Sequence, residues 1–113
     1  MTDHDCVFCR IIAGDIPSDR VYEDEDVIAF KDLNPAAPVH VLVVPRKHVP
    51  NVVALSAEPA LLAAVASAAG TVAQQEANGD FRFLFNTGET AGQTVFHVHG
   101  HVLAGTDMSE GEL

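Results

Sequence analysis

Apolar and polar residues alternate over Phe81–Asn86 ("FRFLFN") and again over Phe96–Gly105 ("FHVHGHVLAG"). A period of two sends successive side chains to opposite faces of an extended chain, so both stretches predict strands. "VHVLVVP" (Val39–Pro45) is rich in β-branched residues and predicts a third. "RVYED" (Arg20–Asp24) and "VIAFKD" (Val27–Asp32) predict two more, joined by the acidic turn "EDED". The Ala-rich stretch from Ser56 to Ala77 follows a different period. Leu61, Leu62, Val65, Ala69 and Val72 recur at helical spacing and form one apolar stripe. Ser56 suits the N-cap, Glu58 the first turn, and Asn78-Gly79 the end of this long helix. Phe8–Ala13 predicts a short helix stopped by Gly14 and Pro17. "NPAAP" (Asn34–Pro38) and "TGETAGQT" (Thr87–Thr94) read as loops, and "TDMSEGEL" (106–113) as a flexible acidic tail.

The connections at 24–26 and 87–94 are too short for parallel crossovers, so the strands they join are antiparallel. The class is α+β: an antiparallel sheet with helices packed on it. A chain of 113 residues supports one domain (1–113), with a core from about 6 to 105.

Charge narrows the partners. Asp and Glu number 16 against 6 Lys and Arg, a formal net charge of −10. Such a chain repels a nucleic acid polymer, and a small anion must be held by local donors. No long apolar run predicts a membrane span, and the start "MTDHDCVFCR" is polar and acidic, so a cytoplasmic location is expected. Cys6 and Cys9 form a C-x-x-C pair, which in a cytosolic chain suits a metal knuckle or a redox pair better than a structural disulfide.

Within the last predicted strand, His97, His99 and His101 occupy alternate positions and share one face, roughly 6.5–7 Å apart. Val98, Gly100 and Val102 face the other way. Three imidazoles and a water can form a catalytic zinc site. Alternatively, a neutral imidazole is a nucleophile toward phosphorus near pH 7, with its neighbours donating to the phosphoryl oxygens and the leaving group. Glu89 is the nearby carboxylate a metal-assisted mechanism would draw on.

"HVHGHVL" resembles the signature of the histidine-triad (HIT) superfamily, His-φ-His-φ-His-φ-φ with φ apolar, and Gly100 fills one φ slot. The resemblance extends over "CVFCRIIAGDIPSDRVYEDEDVIAFKDLNPAAPVHVLVVPRKHV" and "NTGETAGQTVFHVHGHVLAG", from about Cys6 to Gly105. The ending "HVLAG" is similar to the Hint branch, nucleoside phosphoramidate hydrolases; the dinucleoside polyphosphate hydrolases usually carry Pro-Arg where this chain has Ala104-Gly105. The family fold is a five-stranded antiparallel sheet with two helices, one short and one long here. Its members in this branch are homodimers with the sheet continued across the twofold, and "FRFLFN" would be the joining edge.

The resemblance implies a chemistry for each position. His99 would attack the α-phosphorus of a purine nucleoside 5′-phosphoramidate, and water would hydrolyse the nucleotidyl-histidine to a nucleoside monophosphate. His101 would contact the phosphate, while His97 and His40 would complete the polar cluster and fix the tautomer of His99. Gln93 and Thr94 would touch the phosphate and leaving group, with Gly92 permitting close backbone approach and Asn86 on the phosphate side. Asp32, an acceptor-only carboxylate, would take both ribose hydroxyls. Val7, Phe8, Ile11, Phe30, Leu33 and Leu42 would form the slot for the base. Cys6, Cys9, His48 and His97 match a structural zinc set carried by many bacterial members, and no organic cofactor is expected.

Two departures stand out. The chain has no Trp and a short acidic tail, where several Hint-branch members carry an aromatic-containing C-terminal extension. Gly100 is unusual at a φ position, and Gly in a strand marks close approach of something bulky. Two further functions remain open: a dinucleoside polyphosphate hydrolase and a non-catalytic nucleotide-binding regulatory module.

Overall fold

The computed structural model describes residues 6–111. Five strands, β1 (Arg20–Glu23), β2 (Val27–Lys31), β3 (Val39–Pro45), β4 (Arg82–Leu84) and β5 (Gly100–Ala104), form one antiparallel sheet in the order β1-β2-β3-β5-β4. Three helices accompany it: α1 (Val7–Ile12), α2 (Val52–Leu55) and α3 (Pro59–Glu76). The expected five-stranded antiparallel α+β architecture is present, and β4 lies at one edge of the sheet.

Both faces of the central strands are covered, which explains their dense apolar character. On β2 and β3, Val27, Ala29, Val41 and Val43 pack toward α3 with Val65, Ala69 and Val72. Ile28, Phe30, Leu42 and Val44 pack on the opposite face against Phe8 and Ile11 of α1. Arg20 anchors α1 to the sheet by donating from Nη2 to the carbonyls of Ile11 (2.6 Å) and Ile12 (3.3 Å), which the helix end leaves without intrahelical partners. The histidine-bearing face is therefore the α1 face.

The long helix begins later than its composition predicts. Pro59 is its first residue, a position where the missing N–H costs nothing and φ is already helical. A residue before proline is pushed out of the helical region, so Glu58 is non-helical (φ −124°, ψ 75°) and Ser56 lies outside α3. The residues ahead fold instead as the separate turn α2, capped by Asn51, whose side chain accepts from the Ala54 N–H at 2.9 Å.

The last strand is also shorter than predicted, and His97–His99 precede it. In the ladder Val43 faces Gly100; beyond it β3 ends at Pro45, which has no N–H to offer. The Val98 N–H goes instead to the Val49 carbonyl at 2.7 Å. The side-chain alternation nevertheless survives, with Val98 and Val102 buried in the α3-side core. Gly100 also faces that side: a Cβ there would lie 2.3 Å from the Phe83 ring and 3.1 Å from Phe85. The glycine in the φ slot is thus explained by two phenylalanines from the segment of β4. Of the C-terminal stretch expected to be flexible, Ser109 is tied back, its carbonyl accepting from Arg82 at 2.7 Å, and residues 112–113 lie outside the described residues.

Candidate active site

His99 is held by its own chain. Its Nδ1–H donates to the carbonyl of His97 at 2.8 Å, so the lone pair lies on Nε2. The Phe8 ring meets it edge-on, with centroids 4.9 Å apart, and restricts the imidazole's rotation. Burial lowers its pKa below the usual histidine range, against the opposing pull of the His97 carbonyl and Asp32. The ring is therefore neutral at pH 7 with one nucleophilic nitrogen.

The tautomer of His101 follows from a chain of donors. The Ala36 N–H donates to His40 Nδ1 at 2.9 Å, which leaves the His40 proton on Nε2. That Nε2–H donates to His101 Nδ1 at 2.9 Å. His101 consequently carries its own proton on Nε2, a buried atom without a hydrogen-bond partner among the described residues. Burial, reinforced by His99 and His40, pushes the His101 pKa down to about 4. His99 and His101 lie side by side, centroids 5.1 Å apart. One presents a lone pair and the other an N–H donor.

Both rings open into a cleft of about 370 Å³ bounded by α1, β2, the loop after β2 and the Asn86–Val95 segment. Its apolar lining includes Val7, Phe8, Ile11, Phe30 and Leu42, and Asp32 also lines it, with Oδ2 3.3 Å from His40 Nε2. Asn86, Gly92 and Thr94 line the cleft as well. Gly92 has φ +94°, a left-handed conformation that glycine adopts without strain, and it closes the 3₁₀ turn Glu89–Ala91. Leu33 also borders the cleft but is 94% exposed, so it forms a lip rather than a wall.

Three expected site residues do not reach the cleft with their side chains. Gln93 is buried and brackets the loop: its Oε1 accepts from Gly88 N–H at 2.9 Å, and its Nε2 donates to the Pro50 (2.7 Å) and Val95 (3.1 Å) carbonyls. All three of these bonds support the loop carrying Gly92 and Thr94. His40 acts from behind His101. The His97 side chain is wholly buried and turned to the cysteines, and only its backbone carbonyl serves His99. The sequence reading passed over Ile16, Pro17, Ser18, Asp19 and Lys31 as cleft residues, and also Asn34 and Val95 from two loops. They come from the α1–β1 connection, the end of β2, the loop after it and the segment before β5, and nothing in their type or spacing marked them.

Beneath the histidines, Cys6, Cys9, His48 and His97 bring four ligand atoms within 4.8 Å of one another. Cys6 Sγ lies 3.3 Å from His97 Nδ1, Cys9 Sγ 3.4 Å from His97 Nδ1 and 3.3 Å from His48 Nδ1. Tetrahedral bonds of about 2.3 Å to sulfur and about 2.0–2.1 Å to nitrogen would set S···N edges of roughly 3.5 Å, close to this spacing. His97 Nε2–H donates to the Pro45 carbonyl at 2.8 Å, which leaves Nδ1 as the ligand atom and orients the ring as metal-bound histidines are usually oriented. The four residues fit a metal ion. Asp32, His40 and His101 also cluster. The 2.9 Å between His40 Nε2 and His101 Nδ1 is a hydrogen bond, shorter than the roughly 3.3 Å edge between nitrogens on a tetrahedral metal.

This fold and this pair of imidazoles define a histidine-triad domain. The HIT domain model matches residues 13–108, and the chain belongs to the HIT family. A HIT-like protein of Synechocystis is 47% identical over 107 residues, covering 93% of this chain and 94% of that protein. The purine nucleoside phosphoramidase of Escherichia coli K12 is 40% identical over 105 residues, covering 90% of this chain and 88% of that enzyme. A HIT family hydrolase from Clostridium thermocellum superposes with a TM-score of 0.91 at 47% identity, covering 96% of this chain and 97% of that one. These likenesses support a hydrolase. No described helix is long and apolar enough to cross a membrane.

Proposed function

We propose that the protein hydrolyses purine nucleoside 5′-phosphoramidates through a nucleotidyl-His99 intermediate. The observation that carries this reading is the Nδ1–H bond of His99 to the His97 carbonyl, which leaves Nε2 as a nucleophile facing the cleft. In the reaction, Nε2 forms a bond to the α-phosphorus as the P–N bond breaks, and the departing nitrogen takes a proton from solvent to leave as the neutral amine. Water then attacks the same phosphorus, releasing the nucleoside monophosphate and restoring His99. His101, whose ring lines the cleft, and Thr94 are the donors for the phosphoryl oxygens, the His101 Nε2–H coming out of its buried position as substrate binds; such donors supply local stabilisation in a chain of net charge −10. The apolar wall suits a purine ring and Asp32 a ribose diol.

In the same reading, Cys6, Cys9, His48 and His97 hold a structural zinc. When bound, it would cross-link the N-terminal helix, the Arg46–Val49 turn and the segment entering β5. The working unit is a cytoplasmic homodimer joined along β4, one of the two sheet edges.

Turnover of an adenosine phosphoramidate and of a diadenosine polyphosphate, measured side by side, tests the substrate. The phosphoramidate should be the faster by kcat/KM, and His99→Ala should abolish both. A faster polyphosphate reaction would move the protein to the other branch of the family. Tight nucleotide binding without turnover of either would make it a binding module.

A further inference from the structure

We propose that Asp32 is a positioning residue as well as a sugar ligand: through His40 it fixes which nitrogen of His101 carries the proton. Occupation of the sugar end of the cleft is thereby coupled to the donor at its phosphate end. The inference rests on the nucleotide reading above only for the identity of the occupant.

Asp32 has two oxygens with different duties. Oδ1 accepts the Asn34 N–H at 2.9 Å, closing a turn within the loop after β2. Oδ2 lies 3.3 Å from His40 Nε2, and both side chains are largely buried, 21% and 7% exposed. A carboxylate is an acceptor only, so it favours a proton on the nitrogen it faces. The His40 Nε2–H donates to His101 Nδ1 at 2.9 Å, and Asp32 Oδ2, 3.3 Å from the same nitrogen, favours that proton electrostatically without taking the hydrogen bond. On the other side of the ring, the Ala36 N–H requires a lone pair on Nδ1. Two contacts from one loop thus impose one tautomer on His40, and His40 imposes one on His101. Only that tautomer places an N–H on the His101 atom left unpartnered in the interior.

Asp32→Asn preserves shape and tests the idea. With its oxygen kept on the Asn34 N–H, the amide turns NH₂ toward His40 Nε2 and favours a lone pair there. The amide then competes with the Ala36 N–H for the one lone pair of neutral His40; where the amide prevails, the Ala36 N–H loses its acceptor, His40 carries its proton on Nδ1, and His101 donates from Nδ1 and no longer carries a proton on Nε2. Such a change removes a donor from the developing charge, a loss that lowers kcat rather than binding alone.

The experiment has two arms. In the first, Asp32→Asn and wild type are compared on adenosine phosphoramidate and on its 2′,3′-dideoxy analogue. Wild type should show a raised KM on the dideoxy substrate with kcat within about threefold, and Asp32→Asn should lower kcat at least tenfold on both, as donor losses at such sites do. Equal kcat for variant and wild type on the dideoxy substrate would overturn the proposal, because Asp32 would then act only through the ribose. In the second arm, ¹⁵N spectra of the His101 ring are recorded on wild type and variant. The Nε2–H form is expected in wild type and its loss in Asp32→Asn; the same tautomer in both would overturn the proposal. This arm stands if the enzyme proves to use another substrate. Should the variant fail to fold, wild type alone decides: adenosine should shift the His101 nitrogens and 2′,3′-dideoxyadenosine should not. Equal shifts, or none with either, would overturn the coupling.

Discussion

The carbonyl oxygen of His97 lies 2.8 Å from Nδ1 of His99, while the imidazole of the same His97 points the other way, into the pocket of Cys6 and Cys9. One residue thus joins the cluster that fits a metal to the proposed nucleophile: its side chain belongs to the first and its backbone holds the second. Loss of metal should loosen His97 and, through its carbonyl, His99.

Metal content is the first prediction. The purified protein should carry one zinc per chain by elemental analysis, and His48→Ala should reduce that stoichiometry with little direct effect on the cleft. Chelation should lower the melting temperature by several degrees, since a structural metal contributes to folding. A chain free of metal with an unchanged melting temperature after chelation would remove zinc from this reading.

Gly100→Ala should destabilise the fold, because its Cβ would meet the Phe83 ring at 2.3 Å. Overpacking of this kind costs about 1–3 kcal/mol. For a domain of this size that is a fall in melting temperature of roughly 4–8 °C per kcal/mol. Adding Phe83→Leu should recover part of the loss. Equal stability of Gly100→Ala and wild type in thermal denaturation would contradict the packing described.

Gln93→Ala should act on stability through the loop rather than through phosphate binding. It removes three internal hydrogen bonds and leaves the Gly88 N–H and two carbonyls in need of partners. The cost of such groups is about 1–3 kcal/mol each where water cannot reach them. Urea unfolding should show a lower midpoint with an unchanged slope. A variant as stable as wild type but with a greatly raised KM would restore Gln93 as a direct ligand.

Acid should weaken the fold through His101. Its pKa is pushed down to about 4 in the folded chain, whereas an unfolded histidine titrates near 6.5. The folded state therefore binds fewer protons between these values. The stabilisation is fully present above pH 6.5 and is lost as pH falls through about 4. Melting temperatures from pH 7 to 4 should decline more steeply for wild type than for His101→Gln; parallel curves would contradict the assignment. Activity should correspondingly persist below pH 6.5, since both cleft imidazoles resist protonation.

The sheet was legible because alternation and β-branching mark strands directly, as in "VHVLVVP", whose residues are buried on both faces. Pro59 was equally visible, but Ser56 and Glu58 suit a cap and a first turn so well that they hide the start of α3 at the proline, and the four residues of α2 are too few to show a helical period. The triad's common face could be inferred from period two. Its early departure from the ladder depends on Pro45 and Val49, partners distant in sequence. Gln93 shows the limit most clearly. An amide next to glycine in a loop suits a ligand or a brace equally well, and only the positions of Gly88, Pro50 and Val95 decide between them. His40 and Asp32 were recognisable as site residues, yet their hydrogen-bonded order, from Ala36 through His40 to His101, is a property of the fold.

The most direct test of the central claim is intact-protein mass spectrometry on wild type and His99→Ala, quenched without acid during turnover of adenosine phosphoramidate. Wild type should gain the mass of one adenylyl group and His99→Ala none. Turnover by His99→Ala, or an adduct on that variant, would contradict nucleophilic catalysis by His99.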